Sequence, residues 1–287
     1  MKAKFCLAGS LKQMKKFRFF KTSGSGNDFI VADNREGQAP DMEFSRLAAL
    51  LCRRKYSVGA DGLILLENST EADFAWRFFN SDGSEAQMCG NGSRCAARVA
   101  HLLGIAGPEM SFMTLAGKIK AEVMGDRVKV KMTDPADLRL FYPLTVDGKE
   151  FNVSSVNTGV PHVVLLVDDI KKAEVLLHGR KIRHHQEYAP AGTNVNFVQL
   201  RRGGDIFIRT YERGVEDETL ACGTGAVAAA IVRSATDASA SPIHVHVKGG
   251  EVLTIHFSRK GLKYFDVFLE GDAKIIYEAE LGADALR

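Results

Sequence analysis

The sequence predicts an α+β fold of two pseudo-symmetric halves, each a curved, mostly antiparallel sheet wrapped around a central helix. Three observations predict it. The chain matches itself at an offset of 133 residues (222 − 89): Glu85 meets Glu218, Cys89 meets Cys222, Gly90 meets Gly223 and Gly92 meets Gly225. Ala96, Ala97 and Val99 meet Ala229, Ala230 and Val232, and the register extends from Gly26 and Gly159, through Gly59 and Gly192, to Gly117 and Gly250. Next, each matched cysteine precedes a glycine and opens a run of small residues that reads as a helix. Finally, the run Ala226-Val-Ala-Ala-Ala-Ile-Val232 is apolar all round, and such a helix must be enclosed on every side.

The elements follow in order. Residues 17–22, 29–33, 62–67 and 73–79 read as strands from their β-branched, aromatic and apolar content. Residues 42–54 read as a helix, with Phe44, Leu47, Leu50 and Leu51 at helical spacing. A second helix is expected over 90–103, then strands at 110–115, 118–124 and 127–132. The second half repeats the plan with strands at 162–167, 194–200, 205–211, 243–248, 251–257 and 263–269, and helices near 170–177 and 223–235. The final segment, 268–281, is placed to return to the first half. The first half is expected over 14–126 plus 269–287 and the second over 127–268, with 1–13 a disordered extension.

Composition narrows the function. A chain of 287 residues with 45% hydrophobic and 25% charged residues reads as an ordinary globular protein able to bury a large core. The net charge of +3 is small, and clusters such as Arg53-Arg54-Lys55 and Arg201-Arg202 are too short for a nucleic-acid site. No apolar run approaches the roughly 20 residues of a membrane helix, and Phe5-Cys6-Leu7-Ala8-Gly9 is too short for a signal-peptide core. The expected setting is a reducing cytoplasm, in which the five cysteines are free rather than disulfide-bonded.

The two Cys-Gly starts carry the chemistry. A thiol at a helix N-terminus faces the positive end of the macrodipole and unpaired N–H groups, so its pKa is expected to fall from about 8.5. The glycines let those N–H groups approach an anion closely. If two such ends face one another, a single carboxylate receives N–H groups from both, with a thiol on each side of its α-carbon. Inverting a stereocentre requires a proton taken from one face and another delivered to the opposite face. One thiolate and one thiol do this without a cofactor and exchange roles in the reverse direction.

Asn80-Ser-Asp-Gly-Ser-Glu85 followed by Met88-Cys-Gly-Asn-Gly-Ser-Arg-Cys95, and Tyr211-Glu-Arg-Gly214 followed by Thr219-Leu-Ala-Cys-Gly-Thr-Gly225, resemble the diaminopimelate epimerase family. These are amino-acid racemases that work without pyridoxal phosphate. Ser25-Gly-Asn-Asp-Phe29, Val195-Asn-Phe197 and Pro161-His162 extend the resemblance, which runs from about residue 15 to the C-terminus, with Met14 heading the matched stretch. It implies that Cys89 and Cys222 are the acid/base pair and that Gly90, Asn91, Gly223 and Thr224 hold the reacting carboxylate. It assigns Asn27, Asn80, Asn194 and Arg213 to the substrate's distal amino-acid end, and Glu212 and His162 to the reacting amino group. Arg213 offers a bidentate fork to a distal carboxylate, and asparagine carbonyls can accept from its ammonium. The implied reaction converts LL-2,6-diaminopimelate to meso-diaminopimelate, with a small amino-acid substrate, no cofactor, no metal, no nucleic acid and no membrane; a homodimer is compatible with it. Two positions depart from the family pattern: Val160 replaces an asparagine before Pro-His, and Gly62 replaces a glutamine.

Other residues read more plainly. The spacing of Cys89 and Cys95 is unlike a zinc pair or a C-x-x-C couple, so Cys95 is expected to pack as a small hydrophobe, with Cys6 and Cys52 incidental. His244, His246 and His256 are expected on a solvated strand face with no evident carboxylate partner, and His184-His185 in a polar loop. A racemase acting on another amino acid, or a dithiol redox protein, are the competing functions.

Overall fold

The computed structural model describes residues 17–201 and 203–287. The expectations for 1–13, Cys6, Met14 and Arg202 lie outside them. The described chain opens with β1 (Arg18–Gly24), β2 (Asn27–Asp33), α1 (Phe44–Leu51), β3 (Gly62–Glu67), β4 (Phe74–Asn80), α2 (Gly90–Leu102), β5 (Glu109–Thr114), β6 (Gly117–Met124) and β7 (Arg127–Lys131). The chain continues through β8 (Ala136–Val146), β9 (Lys149–Asn157), β10 (Pro161–Leu166), α3 (Val175–Arg183), β11 (Asn194–Leu200), β12 (Ile206–Glu212), β13 (Asp217–Thr219) and α4 (Gly223–Asp237). It closes with β14 (Ile243–His246), β15 (Val252–Lys260), β16 (Lys263–Asp272) and β17 (Lys274–Glu280).

The pairing repeats with the sequence. From β17 the ladder runs through β1, β2, β3, β4, β5 and β6 to β7, parallel only at β2–β3 and β4–β5. From β8 it runs through β9, β10, β11, β12, β14 and β15 to β16, parallel only at β10–β11 and β12–β14. The two runs join where β7 pairs antiparallel with β16. The end of the chain does return: β17 lies antiparallel to β1.

Each sheet curls around one helix. Ala226 through Val232 of α4 are entirely buried, as are Cys95, Ala96, Ala97, Val99 and Ala100 of α2. Both helices share one core with Phe74, Trp76 and Phe112 from the first sheet and Val164, Ile208 and Leu253 from the second. The outer faces are covered too. Leu47, Ala48 and Leu51 of α1 pack on Ile30, Leu63 and Leu65, and Val175 and Ile182 of α3 pack on Val163, Val195 and Phe197. Covered on both faces, β3 is an unbroken apolar run rather than an alternating one.

Two expectations are corrected. The helix placed near 170–177 is a 3₁₀ turn over Ile170–Lys172, where the Asp169 carboxylate accepts from the Lys171 N–H at 3.0 Å, and α3 begins only at Val175. The β8–β9 hairpin was not anticipated. Its turn is Asp147-Gly148, both with positive φ, as a tight two-residue hairpin requires. Pro143 is tolerated because β8 is an edge strand, and irregular register on either side of Arg139 hides the period of two.

Because α4 is walled in on all sides, truncating it leaves a void that nothing can fill. Ile231→Ala is expected to cost about 3 kcal/mol in urea unfolding, whereas the same truncation at the exposed Leu176 of α3 should cost under about 1 kcal/mol.

Candidate active site

Cys89 and Cys222 are the residues at which extended chain turns into α2 and α4. Cys89 (φ −144°, ψ 119°) and Cys222 (φ −123°, ψ 111°) both cap their helices, and each carbonyl accepts the first intrahelical bond, from Ser93 at 2.8 Å and Ala226 at 2.9 Å. The Cys89 Sγ accepts from the Gly92 N–H at 3.5 Å, and the Cys222 Sγ lies 3.5 Å from the Thr224 hydroxyl. The N–H groups ahead of those bonds have no intrahelical partner.

The two helix ends converge. A Cβ added to Gly90 would lie 3.4 Å from the Leu269 Cδ2, and one added to Gly223 would lie 2.8 Å from the same atom. Leu269 of β16 thus lies between both ends, and a side chain at Gly223 would have to push it aside. At Gly225 a Cβ would fall 2.4 Å from the Asn196 Oδ1, so α4 is seated directly against β11.

A cleft of about 580 Å³ opens over this junction. It is lined by Cys89, Gly90 and Asn91 from one half and Cys222, Gly223 and Thr224 from the other, with Asn27, Glu212 and Val160 beside them. Eight of the residues implicated by sequence therefore share one wall-to-wall space. Four do not line it. Asn80 ends β4, its amide donating to the Ser84 hydroxyl at 3.0 Å. Asn194 donates to the Pro161 carbonyl at 3.1 Å and accepts from the Arg213 N–H at 2.9 Å. Arg213 is half-buried, its guanidinium donating to the Ala191 carbonyl. His162 is buried beside Asn196, with its Nε2 unpartnered. Gly62 also lies off the cleft, and no side chain fits there: a Cβ would meet the Phe79 carbonyl oxygen at 2.7 Å.

The thiol pKa values move opposite to the expectation. The N–H groups of Gly92 and Asn91 do pull Cys89 down, and those of Gly225 and Thr224 pull Cys222 down, but burial outweighs them. Cys89 is raised, and Cys222 is pushed up to about 12, with the Glu212 charge opposing ionisation of both. Glu212 is itself raised by burial. Burial holds the His162 imidazole down to about 3, with the Arg213 charge adding to the effect, so it stays neutral.

Several cleft or support residues were not anticipated. Thr158 lines the cleft, and its hydroxyl donates to the Thr224 carbonyl at 3.1 Å. Its place 133 positions after Ser25 was the available signal. Gln87, Lys118, Lys131 and Thr133 complete the rim. Behind Asn91 lies Arg94, fully buried. Cys95 is buried, as expected, and Cys52 is buried as well. Two of the strand histidines do have carboxylate partners, His246 with Asp205 at 3.0 Å and His256 with Glu270 at 2.7 Å. Folding brings these together from distant segments. No cluster among the described residues could hold a metal ion.

A duplicated fold with one helix-capping thiol from each half at a shared cleft defines the class of amino-acid racemases and epimerases. Solved structures agree on the fold. A Bacillus anthracis phenazine biosynthesis protein of the PhzF family superposes with a TM-score of 0.69 at 16% identity, covering 94% of this chain and all of that one. A hydroxyproline epimerase from Agrobacterium vitis gives 0.65 at 16% identity, covering 95% and 94%. The diaminopimelate epimerase family model matches residues 19–138 and 154–276. A diaminopimelate epimerase of Aquifex aeolicus (strain VF5) is 49% identical over 279 residues, 93% of this chain and 99% of that protein. The chain belongs to the diaminopimelate epimerase family.

Burial of the thiols links stability to pH. Cys52, Cys95 and Cys222 are each raised to about 12, whereas an unfolded thiol ionises near about 8.5. Above that value the unfolded chain has released protons that the folded chain retains. Stability is therefore full below about pH 8.5 and falls as pH rises toward 12, by up to about 1.4 kcal/mol per pH unit per thiol. Urea unfolding between pH 8 and 11 should show this slope, and Cys95→Ala should make it shallower.

Proposed function

We propose that this protein interconverts LL- and meso-2,6-diaminopimelate by two-base proton transfer between Cys89 and Cys222. The observation that carries the reading is that the helix ends at Gly90 and Gly223 approach one side chain, Leu269, while both capping thiols line the cleft above it. Identity of 49% over nearly the whole of a diaminopimelate epimerase supports the choice of substrate. The product feeds lysine and peptidoglycan precursors.

In this reading the reacting carboxylate sits between the helix ends, receiving N–H groups from Gly90, Asn91, Gly223 and Thr224. Those donors stabilise the charge that spreads onto the carboxylate as the α-proton leaves. One cysteine, as thiolate, removes that proton while the other, as thiol, protonates the opposite face. Glu212 receives the α-ammonium. The incoming ammonium also offsets the Glu212 charge that opposes thiol ionisation, which favours forming the base only when substrate is present. Asn80, Asn194 and Arg213 stand back from the cleft, and we assign them to the distal zwitterion. His162, neutral and buried, lies in β10 just after the bend that carries Val160.

We place the working protein in the cytoplasm, acting on a small amino acid without nucleic acid, membrane or added cofactor, as a monomer or homodimer. No helix among the described residues is long and apolar enough to cross a membrane. We set the division into halves at 14–126 plus 269–287 and 127–268, near the β7–β16 seam.

Cys89→Ala and Cys222→Ala should each lower epimerisation at least about 10³-fold while leaving the circular dichroism spectrum unchanged. Wild-type protein in deuterium oxide should place deuterium at one α-carbon of diaminopimelate. Turnover of proline or hydroxyproline but not diaminopimelate would assign the site to another amino acid, and absence of exchange would overturn the mechanism.

A further inference from the structure

The duplicated backbone hides an unduplicated charge. Arg94, five residues into the helix that Cys89 caps, is entirely buried. Among the described residues its hydrogen bonds go only to neutral acceptors: the Ser25 hydroxyl at 2.7 Å, the Asn91 side-chain oxygen at 2.9 Å, and the carbonyls of Asp272 at 3.3 Å and Gly90 at 3.5 Å. From Asn91 the connection continues into the cleft, its amide donating to the Asn27 oxygen at 2.6 Å. The Asn27 amide in turn donates to the Asp61 carboxylate at 3.1 Å. Gly90, Asn91 and Asn27 all line the cleft.

The repeat places Val227 of α4 where α2 has Arg94. There the helix end is tied by a neutral contact instead, the Thr158 hydroxyl to the Thr224 carbonyl. The two thiols thus share a backbone setting, but only Cys89 has a cation beneath it. Resting on the two-thiol reading above, we propose that Arg94 is a positioning residue whose buried charge makes the site electrically one-sided, so that Cys89 rather than Cys222 is the thiol that ionises first.

The surrounding charges fit this assignment. The groups facing the Cys89 end are Arg94 on its own helix, Glu212 across the cleft from β12, Lys118 and Lys131 on the cleft wall, and Glu251 and Asp272 behind Arg94. Lys131 is neutralised by Asp134 and Asp266. Glu212 opposes ionisation of both thiols, so it does not distinguish them. Arg94 favours the Cys89 thiolate, whereas the charge that weighs most on Cys222 is that of Glu212, which opposes its ionisation.

Iodoacetamide alkylation of the full-length protein between pH 6 and 12, followed for each cysteine by peptide mass mapping, tests this without any turnover. An inactive enzyme or a different substrate would leave the readout intact. Wild type should lose Cys89 first. Arg94→Met should move the Cys89 midpoint up by about one pH unit, about tenfold less thiolate at a fixed pH, and leave Cys222 where it was. Arg94→Lys keeps the charge and should retain the Cys89 midpoint, while kcat/KM falls because Asn91 has lost its fixed donor. It also covers the case in which Arg94→Met fails to fold. Alkylation of Cys222 first in wild type, or a Cys89 midpoint unmoved in Arg94→Met or lost in Arg94→Lys, would overturn the proposal.

Discussion

Two helix N-termini buried against one leucine side chain create a demand that the rest of the molecule answers. Each helix leaves N–H groups without partners, and an unpaired buried donor costs about 1–3 kcal/mol. Because α2 and α4 end at the same place on Leu269, those donors face one cleft rather than two separate surfaces. An anion that enters satisfies both sets together. The surrounding sheets hold this geometry: the small-residue runs of both helices are enclosed, and a Cβ at Gly225 would collide with the Asn196 side chain. Binding at the cleft is thus a property of backbone placement, and the side chains decide what happens to the ligand once it is held.

Duplication alone would give a symmetric site, and a symmetric site would treat both ends of a substrate alike. The structure departs from symmetry at the cleft and directly behind it. Opposite Glu212 the repeat has Phe79, which is buried in the α1 core. Opposite His162 it has Phe29, and opposite Val160 it has Asn27. Arg94 is matched by Val227. The second half therefore supplies the carboxylate at the rim, while the first supplies the polar network behind its helix end, from Arg94 through Asn91 and Asn27 to Asp61. A two-faced acid/base pair needs the symmetric backbone; recognition of one particular amino-acid end needs the broken symmetry of the side chains.

This division explains what the sequence disclosed. The helix after Cys222 was legible because complete burial of Ala226 through Val232 leaves that run apolar all round, the helix after Cys89 because its small residues match that run at the repeat offset, and β3 because both of its faces are covered. The strands β8 and β9 were not, since Pro143 and the irregular register around Arg139 interrupt the reading of β8, whose Leu144 and Val146 nonetheless face the core. The Asp147-Gly148 turn was the overlooked cue. At the site the thiols stood out through the repeat, and Glu212 through the motif that resembles the family. Arg94 did not, because a buried arginine differs from an exposed one only in tertiary surroundings. His162 was assigned to the reacting amino group, yet the register of β10 points its ring into the interior beside Asn196. The direction of the thiol shift failed for the same reason. Helix ends can be read from sequence, whereas desolvation depends on everything else that closes around them.

That desolvation is chemically coherent with the role given to the thiols. The α-hydrogen of an amino acid is a very weak acid, so a base strong enough to remove it must be poorly solvated and poorly neutralised at the moment of transfer. Burial that raises Cys222 to about 12 makes its thiolate scarce but strongly basic. The same burial keeps the partner protonated and ready to deliver to the opposite face. A thiol tuned down toward neutrality, as an isolated helix N-terminus would produce, would ionise readily and pull weakly. With Glu212 resisting ionisation until an ammonium offsets it, and Arg94 favouring one side, the cleft holds its proton until a substrate supplies the charge that releases it.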